Sequence, residues 1–544
     1  MAAVEGEREQ RSSPAPWPVL LAEWLLITAV FAAAAAWPVP DLNEAHYLPK
    51  AKHAADPSWC PGDFFLSSPE AHGLFFRLLG PATTMFSLAT ATWLGRWLGW
   101  LALAAGFRHA AAILGLTSGR QLLAAAVFSL AARYTTMAGE WMIGGCEAKV
   151  FAWAAVLAAW GELAAGRWGV SWLLSGLATA LHPLVGGWMM LVTVAAWAIE
   201  RQTTATSRAE DAPATGGRLW GSISFAAGLG LAAVGLVPAA LLSIGVPAEV
   251  QREAATIYVV ERLPHHLLPG RFQVGLVSRH VLAIVVWWIL AAQCGDSAGL
   301  KRIHRVTLVV ISLSVVGWLI SLAEPFAPAL THGLLRFYWF RLADGLVPLA
   351  LAITATLVLW PTERGAGFPS EPIQMPWQSA LMGALSLLLL IEFVGQSAHW
   401  PLPGRQLTAR SDSRVDAEAW RDVCDWAKHE TPPDARFLTP RGATSFHWRA
   451  ERAEVVCWKN IPQSPTAIVD WRQRIVDCFS SDGTLTGQFP STVSLGAKRL
   501  NEVAEKYDAD FVIAPRKSLV AIPDGSPAVY RNNTYVVLPL PLPE

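Results

Sequence analysis

The 544-residue chain is predicted to be mainly α, a polytopic helical membrane domain over residues 1–400 followed by a small α/β domain over 401–544. Three observations predict this. Hydrophobic residues make up 53% of the chain and charged ones 15%, where soluble proteins carry roughly 25% charge. Apolar runs long enough to cross a bilayer recur along the first 400 residues. Charge then rises sharply from Pro401 onward, which marks the domain boundary. The 27 Trp and 21 Phe suit a bilayer protein with interfacial aromatic anchors. A formal net charge of zero gives no footprint for nucleic acid.

Backbone polar groups cannot stay unpaired in hydrocarbon, so each long apolar run is predicted as a helix. About eleven transmembrane spans follow, at 17–37, 83–106, 119–137, 150–165, 168–181, 184–199, 220–245, 280–295, 306–324, 338–360 and 379–396. The first has no convincing cleavage site and reads as a signal anchor. The stretch 168–199 is too long for one span, and Pro183 removes a backbone donor in its middle, so it divides there. With that division and a cytoplasmic N-terminus, the inner loops collect Arg108, Arg120, Arg167, Arg201, Arg208, Arg218, Lys301, Arg302, Arg305 and Arg364. This is the basic bias of cytoplasmic loops. The chain is thus expected in a cell (inner) membrane with its C-terminal domain extracytoplasmic.

The outer segments hold the unusual polar residues. The first loop, 38–81, is too apolar and aromatic for a solvated loop, and Glu44 to His53 and Glu70 to Leu79 read as two helices on the membrane surface. It carries Asp41, Glu44, His46, Lys50, His53, Asp63 and His72. "GEWMIGGCEAK" adds Glu140, Glu147 and Lys149, and His182 precedes the Pro183 break. "ERLPHHLLPGRF" contributes His265, His266 and Arg271, and "THGLLRFYWFRLAD" contributes His332, Arg336, Arg341 and Asp344. Titratable groups at span ends are expensive unless they pair or line a hydrated cavity. Together they predict a polar cavity that opens outward.

Such a cavity suits a lipid-linked phosphate whose chain stays in the bilayer while Arg and Lys hold the phosphate. An Asp or Glu then deprotonates an acceptor hydroxyl, worth roughly 10²–10⁴-fold in rate. Asp41 and Glu44, three apart, share a helical face, and Asp41 after Pro40 also reads as a helix cap. An early acidic motif ("DLNEAHY"), two surface helices and then many spans resemble the membrane glycosyltransferases of the C (GT-C) superfamily, which include protein O-mannosyltransferases and aminoarabinose transferases. The resemblance implies Asp41 or Glu44 as the base and Arg336, Arg341 and Lys149 at the phosphate of a polyprenyl-phosphate sugar donor. The acceptor stays open among glycan, lipid and protein. In the mannosyltransferases the acid pair is contiguous, whereas Leu42 and Asn43 separate the two here. The resemblance also leaves room for Mg²⁺ or Mn²⁺, to which Asp41, Glu44 and Asp63 offer hard oxygen ligands. "NEAHYLPKAKH", "WCPGDFFLSS" and "EWMIGGCEAK" further resemble an uncharacterised, planctomycete-like family of bacterial membrane proteins.

In the C-terminal domain, Asp416 to His429 has apolar positions at 3.6 spacing and is predicted as an amphipathic helix. Arg436 to Thr439, "AEVVCWKN" and "DFVIAP" read as strands, with helices at Ala467 to Phe479 and Ala497 to Tyr507. "AVYRNNTYVVLPL" reads as a hairpin that turns at Asn532-Asn533, and Asn532 also begins a glycosylation triplet. "RGATSFHWRAER", with Arg441, His447, Trp448 and Arg449, is either a solvated basic loop or a surface that docks over the membrane cavity or binds a polar acceptor. The six Cys lack metal-ligand spacing and read as small buried residues. Two other functions stay open: a transporter or flippase, against which no inverted repeat is visible, and a non-catalytic sensor or scaffold.

Overall fold

A computed structural model describes residues 16–205, 215–295, 297–360, 376–521 and 527–543. Each apolar run predicted as a span forms a helix. These are α1 (Trp17–Ala35), α4 (Leu88–Ile113), α5 (Ser118–Tyr134), α6 (Ala148–Ala165), α7 (Trp168–Leu181), α8 (Pro183–Ala205) and α9 (Thr215–Leu241), then α11 (Val274–Ala291), α12 (Ala298–Leu322), α14 (Arg341–Leu359) and α15 (Pro376–Ser397). The first-loop helices α2 (Glu44–Ala55), largely buried, and α3 (Gly73–Met85) follow the first span, and the short helices α10 (Ala248–Thr256) and α13 (Pro328–Leu335) sit in later loops. Among the described residues, eight helices are long and apolar enough to cross a membrane. The other three of the eleven differ for visible reasons: α5 has 17 residues and α7 has 14, and α4 carries Arg96 fully buried along its length.

Boundaries shift where local chemistry overrides hydropathy. Helix α3 runs past Leu79, and α4 starts only at Leu88, because the Ser87 hydroxyl caps it by accepting from the Thr90 N–H at 3.2 Å. Helix α14 starts at Arg341 because Tyr338 sits at φ +57°, a left-handed conformation that a bulky residue adopts rarely. The division at Pro183 is present, with His182 between α7 and α8.

Helices α6 and α14 are apolar yet almost wholly covered, so they form the centre of the bundle, with Trp153, Trp160, Leu346 and Ile353 in its core. Close approach between α4 and α6 depends on Gly106, where a Cβ would stand 2.3 Å from the Ala154 carbonyl oxygen. At one end of the bundle the basic residues predicted for inner loops meet acids: Arg108 pairs with Glu23 at 2.8 Å, Arg167 with Glu162 at 2.5 Å, and Arg302 and Arg305 with Glu200 at 3.0 and 2.8 Å. Arg208, Arg364 and the side chain of Arg218 lie outside the described residues.

The C-terminal domain packs α16 (Ala417–Glu430), α17 (Phe446–Ala450), α18 (Pro465–Phe479) and α19 (Ala497–Tyr507) against a five-stranded mixed sheet of order β2-β1-β3-β5-β4. The strands are β1 (Arg436–Leu438), β2 (Ala453–Glu454), β3 (Phe511–Pro515), β4 (Tyr530–Arg531) and β5 (Tyr535–Pro539). β1 lies parallel to β2 and β3, and β5 runs antiparallel to β3 and β4. The predicted hairpin is the β4–β5 pair, and Asn532 belongs to its turn, accepting from the Thr534 and Tyr535 N–H groups at 3.0 and 2.8 Å. "AEVVCWKN" is strand only over Ala453–Glu454; the chain then leaves the sheet and carries Trp458 and Lys459 to the membrane domain. All six Cys are free, five of them buried.

Candidate functional site

The C-terminal α/β region sits directly on the first loop. Asp63 is fully buried. It caps its own helical turn by accepting from the Leu66 N–H at 2.7 Å, then accepts from the Glu454 N–H at 2.9 Å and pairs with His447 Nε2 at 2.6 Å. Burial alone pushes the His447 imidazole down, but Asp63 and Glu454 beside it carry it up to about 9. "RGATSFHWRAER" is therefore a docking surface, not a solvated loop. Lys459 donates to the Asn43 side-chain oxygen at 2.8 Å, and the Asn43 amide donates to Glu147 at 2.9 Å. His46 meets Asn460 at 3.3 Å, and burial first, then Lys459 and Lys50, push it well below the usual imidazole range.

The two motif acids have different surroundings. Both Glu44 oxygens are engaged: Arg96 donates to them from Nε and Nη2 at 2.7 Å each, and the Cys146 and Asp41 N–H groups donate at 2.8 and 2.7 Å. At 0% exposure Glu44 has no free face. Asp41 does not cap α2, whose N-cap is Asn43; it accepts from the Leu42 N–H at 2.7 Å, and Arg410 of the interdomain linker grips both its oxygens. The Arg410 guanidinium lies over the Trp37 ring at 4.5 Å. Asp41 is held by Arg410, Glu44 by Arg96 and Asp63 by His447, so the three carboxylates predicted as Mg²⁺ or Mn²⁺ ligands are engaged with cations of the protein and do not fit a shared ion. Among the described residues no group of three His, Cys, Asp or Glu side chains is placed to hold a metal.

A cavity of about 1090 Å³ adjoins this region. One end is apolar and lies between α1, α5 and α15, with Leu26, Val30, Leu122, Leu130, Leu389 and Phe393 in its walls. The other end is polar, with Glu140, Arg262, His265, His266, Arg410, Arg414 and Lys459. Arg262 closes a π-helical turn over Ile257–Arg262, an irregularity often found at functional sites. It donates to the Trp458 and Lys459 carbonyls at 3.0 and 3.3 Å. Burial first, and Arg262 next, lower Lys459 to about 8. Burial and His265 push His266 down to about 3, and its Nδ1 meets the Ala138 carbonyl at 2.5 Å.

Of the other sequence-derived candidates, Glu140 both lines the cavity and pairs with Arg341 at 3.0 Å and Lys149 at 3.8 Å, while Lys149 also reaches Glu147 at 3.5 Å. The His182 ring lies 4.6 Å from that of His72. The loop bearing Glu140 hangs on buried Asp344, which accepts from the Met137, Ala138 and Glu140 N–H groups at 2.6, 2.9 and 3.2 Å. Lys50 is structural: it donates to the Phe65 and Ser68 carbonyls at 2.7 and 2.8 Å. His332 is buried against Thr256 at 3.0 Å, Arg336 covers the Phe337 ring at 5.4 Å, and Arg271 is exposed; the cavity wall includes none of the three. Sequence reasoning missed Asn43, Arg262, Arg410, Arg414 and Lys459. Asn43, Arg262 and Lys459 stand inside "DLNEAHY", "ERLPHHLLPGRF" and "AEVVCWKN", Asn43 next to Glu44 and Arg262 three residues from His265.

Residues 418–478 match a family model described as a domain of unknown function (DUF6798). No curated protein matches the chain in sequence. Among solved structures the fold is similar to the archaeal oligosaccharyltransferase AglB from Archaeoglobus fulgidus in complex with an inhibitory peptide and a dolichol-phosphate. The two are 10% identical over 91% of this chain and 69% of that one, with a TM-score of 0.47. The Archaeoglobus fulgidus oligosaccharyltransferase in complex with Zn and sulfate gives 10% identity, 91% and 68% coverage and a TM-score of 0.45. Arabinofuranosyltransferase AftD from Mycobacteria gives 17% identity over 96% of this chain and 39% of its own, with a TM-score of 0.45.

Proposed function

We propose that the chain is a membrane glycosyltransferase that moves a sugar from a polyprenyl-phosphate-linked donor to an acceptor hydroxyl on the extracytoplasmic face, with Asp41 as base. The observation that carries this reading is the two-ended cavity, whose apolar walls face the bilayer helices while its polar end is rich in cations. A ligand with a long hydrocarbon chain and an anionic head matches both ends. In the reaction the acceptor O–H proton passes to Asp41, the acceptor oxygen bonds to the anomeric carbon, and the carbon–oxygen bond to phosphate breaks with its electron pair on the phosphate. Cations at the polar end favour that leaving group by neutralising the charge it gains. Asp41 suits the base role better than Glu44, because both Glu44 oxygens are committed to Arg96 and two backbone N–H groups. Asp41 is not itself in the cavity wall but is held by Arg410, which is, so an arriving phosphate competes for that guanidinium and uncovers the carboxylate.

The test is sugar transfer from a polyprenyl-phosphate sugar by purified protein in lipid nanodiscs. Asp41→Asn is expected to lower kcat by at least about 10²-fold more than Arg410→Gln does, which breaks the same pair but keeps the carboxylate. Wild-type turnover in Asp41→Asn rejects the base. Movement of a lipid-linked solute across liposomes with no transfer product rejects the enzyme reading in favour of a flippase.

A further inference from the structure

We propose that the soluble domain supplies half of a lipid-phosphate site, in which Arg414 and Lys459 of that domain and Arg262 of the membrane domain clamp one phosphate of a polyprenyl phosphate. The inference rests on the reading above and names the residues that take the head group. All three side chains border the polar end of the cavity. Among the described residues none of the three is ion-paired with a carboxylate: Arg262 bonds to backbone carbonyls, Lys459 to the Asn43 amide oxygen, with Glu147 on the other side of that amide, and Arg414 has no hydrogen-bonded or ion-paired partner. The acids in the same wall are engaged elsewhere, Glu140 with Arg341 and Lys149, Glu261 with Arg472 at 2.8 Å, and Glu392 with Arg133 at 3.4 Å. Arg341 and Lys149, expected from the sequence to hold the phosphate, are thereby occupied. Three cations converge where burial already disfavours the charge on Lys459, an arrangement that an anion relieves.

Two of the three cations are preorganised, while Arg414 is exposed. Arg262 is fixed by two carbonyls of the very strand extension that carries Lys459, and Asn43 ties Lys459 to the first loop. The Arg fork and the Lys point charge are complementary ways to hold phosphate oxygens. The apolar end of the same cavity supplies a path for the chain, which separates a lipid phosphate from free phosphate.

Binding of a short-chain polyprenyl monophosphate without sugar, measured by titration calorimetry in detergent, tests this independently of transfer. Arg414→Gln and Lys459→Gln are each expected to raise Kd by about 10–100-fold, Lys459→Arg to retain binding, and Arg421→Gln on the outer face of α16 to bind as wild type. Unchanged Kd in both Gln variants overturns the site. Equal affinity for inorganic phosphate, or displacement by phosphatidylglycerol, overturns the assignment to a polyprenyl phosphate. Weakened binding in the variants together with no sugar transfer by the wild type overturns the proposed reaction and leaves this site standing. Full transfer by variants that fail to bind the monophosphate does the reverse.

Discussion

Replacing Glu44 with Gln keeps the shape of the side chain and removes its charge, leaving the Arg96 guanidinium fully buried with an amide NH₂ against one of its donors. Removing one partner of a buried, hydrogen-bonded ion pair costs about 3–5 kcal/mol, most of it the penalty of the stranded charge. At about 1.4 kcal/mol per decade, that is roughly a 10²–10⁴-fold loss in the folding equilibrium. The five buried free Cys allow a direct assay, because a thiol-reactive fluorophore labels them as the protein unfolds during heating. Arg96→Met is expected to cost a similar amount, and Glu44→Gln/Arg96→Met less than the sum, since the double variant strands no charge while Gln still accepts from the Cys146 N–H. A Glu44→Gln protein within about 0.5 kcal/mol of wild type would refute the structural role. If that stable variant had also lost transfer, Glu44 and not Asp41 would be the base.

Gly145→Ala places a Cβ 2.4 Å from Glu44 Oε1, so it is expected to destabilise by at least about 2 kcal/mol in the same thiol assay, and by less in a Glu44→Ala background. Asp344→Asn turns one of the oxygens that receive three backbone N–H groups into a donor; a loss of about 2–3 kcal/mol is expected, with labelling first at a Cys introduced in the 135–147 loop. The His447 clasp gives a pH dependence. Its imidazole rises from 6.5 to about 9 in the folded protein, so its contribution, roughly 3 kcal/mol, is fully present below pH 6.5 and is lost as pH climbs through 9. Limited proteolysis of the interdomain linker is therefore expected to accelerate between pH 7 and 9, and Asp63→Asn to abolish that dependence; a flat profile in the wild type refutes the clasp.

Hydropathy made the bundle readable because hydrocarbon imposes one solution on every long apolar run, and the Pro183 break and the Asn532 turn were equally local. The amphipathic helix at Ala417–Glu430 starts one residue from its predicted position because Asp416 is its cap. Strand content after Glu454 was overestimated, since β-branched and aromatic residues suit any buried surface, and Val455, Val456 and Trp458 are buried or half-buried without sheet partners beyond one bond to Phe437. The site was legible as a gathering of charges and illegible as pairs. Nothing near Glu44 in the chain names Arg96, and nothing near Asp41 names Arg410, because a partner fixed by tertiary packing leaves no mark on local spacing. The π turn that aims Arg262 is likewise a product of packing, with no Pro or Gly within Ile257–Arg262 to announce it.

The bonds that seal the first loop join residues separated in sequence by 369 for Asp41 and Arg410, 384 for Asp63 and His447, and 416 for Asn43 and Lys459. At about 5–20 residues per second of synthesis, the loop emerges roughly 20–80 s before its partners exist. During that interval Asp41 and Asp63 lack Arg410 and His447, and the loop is an unfinished surface. A chain that ends before residue 410 thus carries every described membrane helix but lacks the residues that close its first loop.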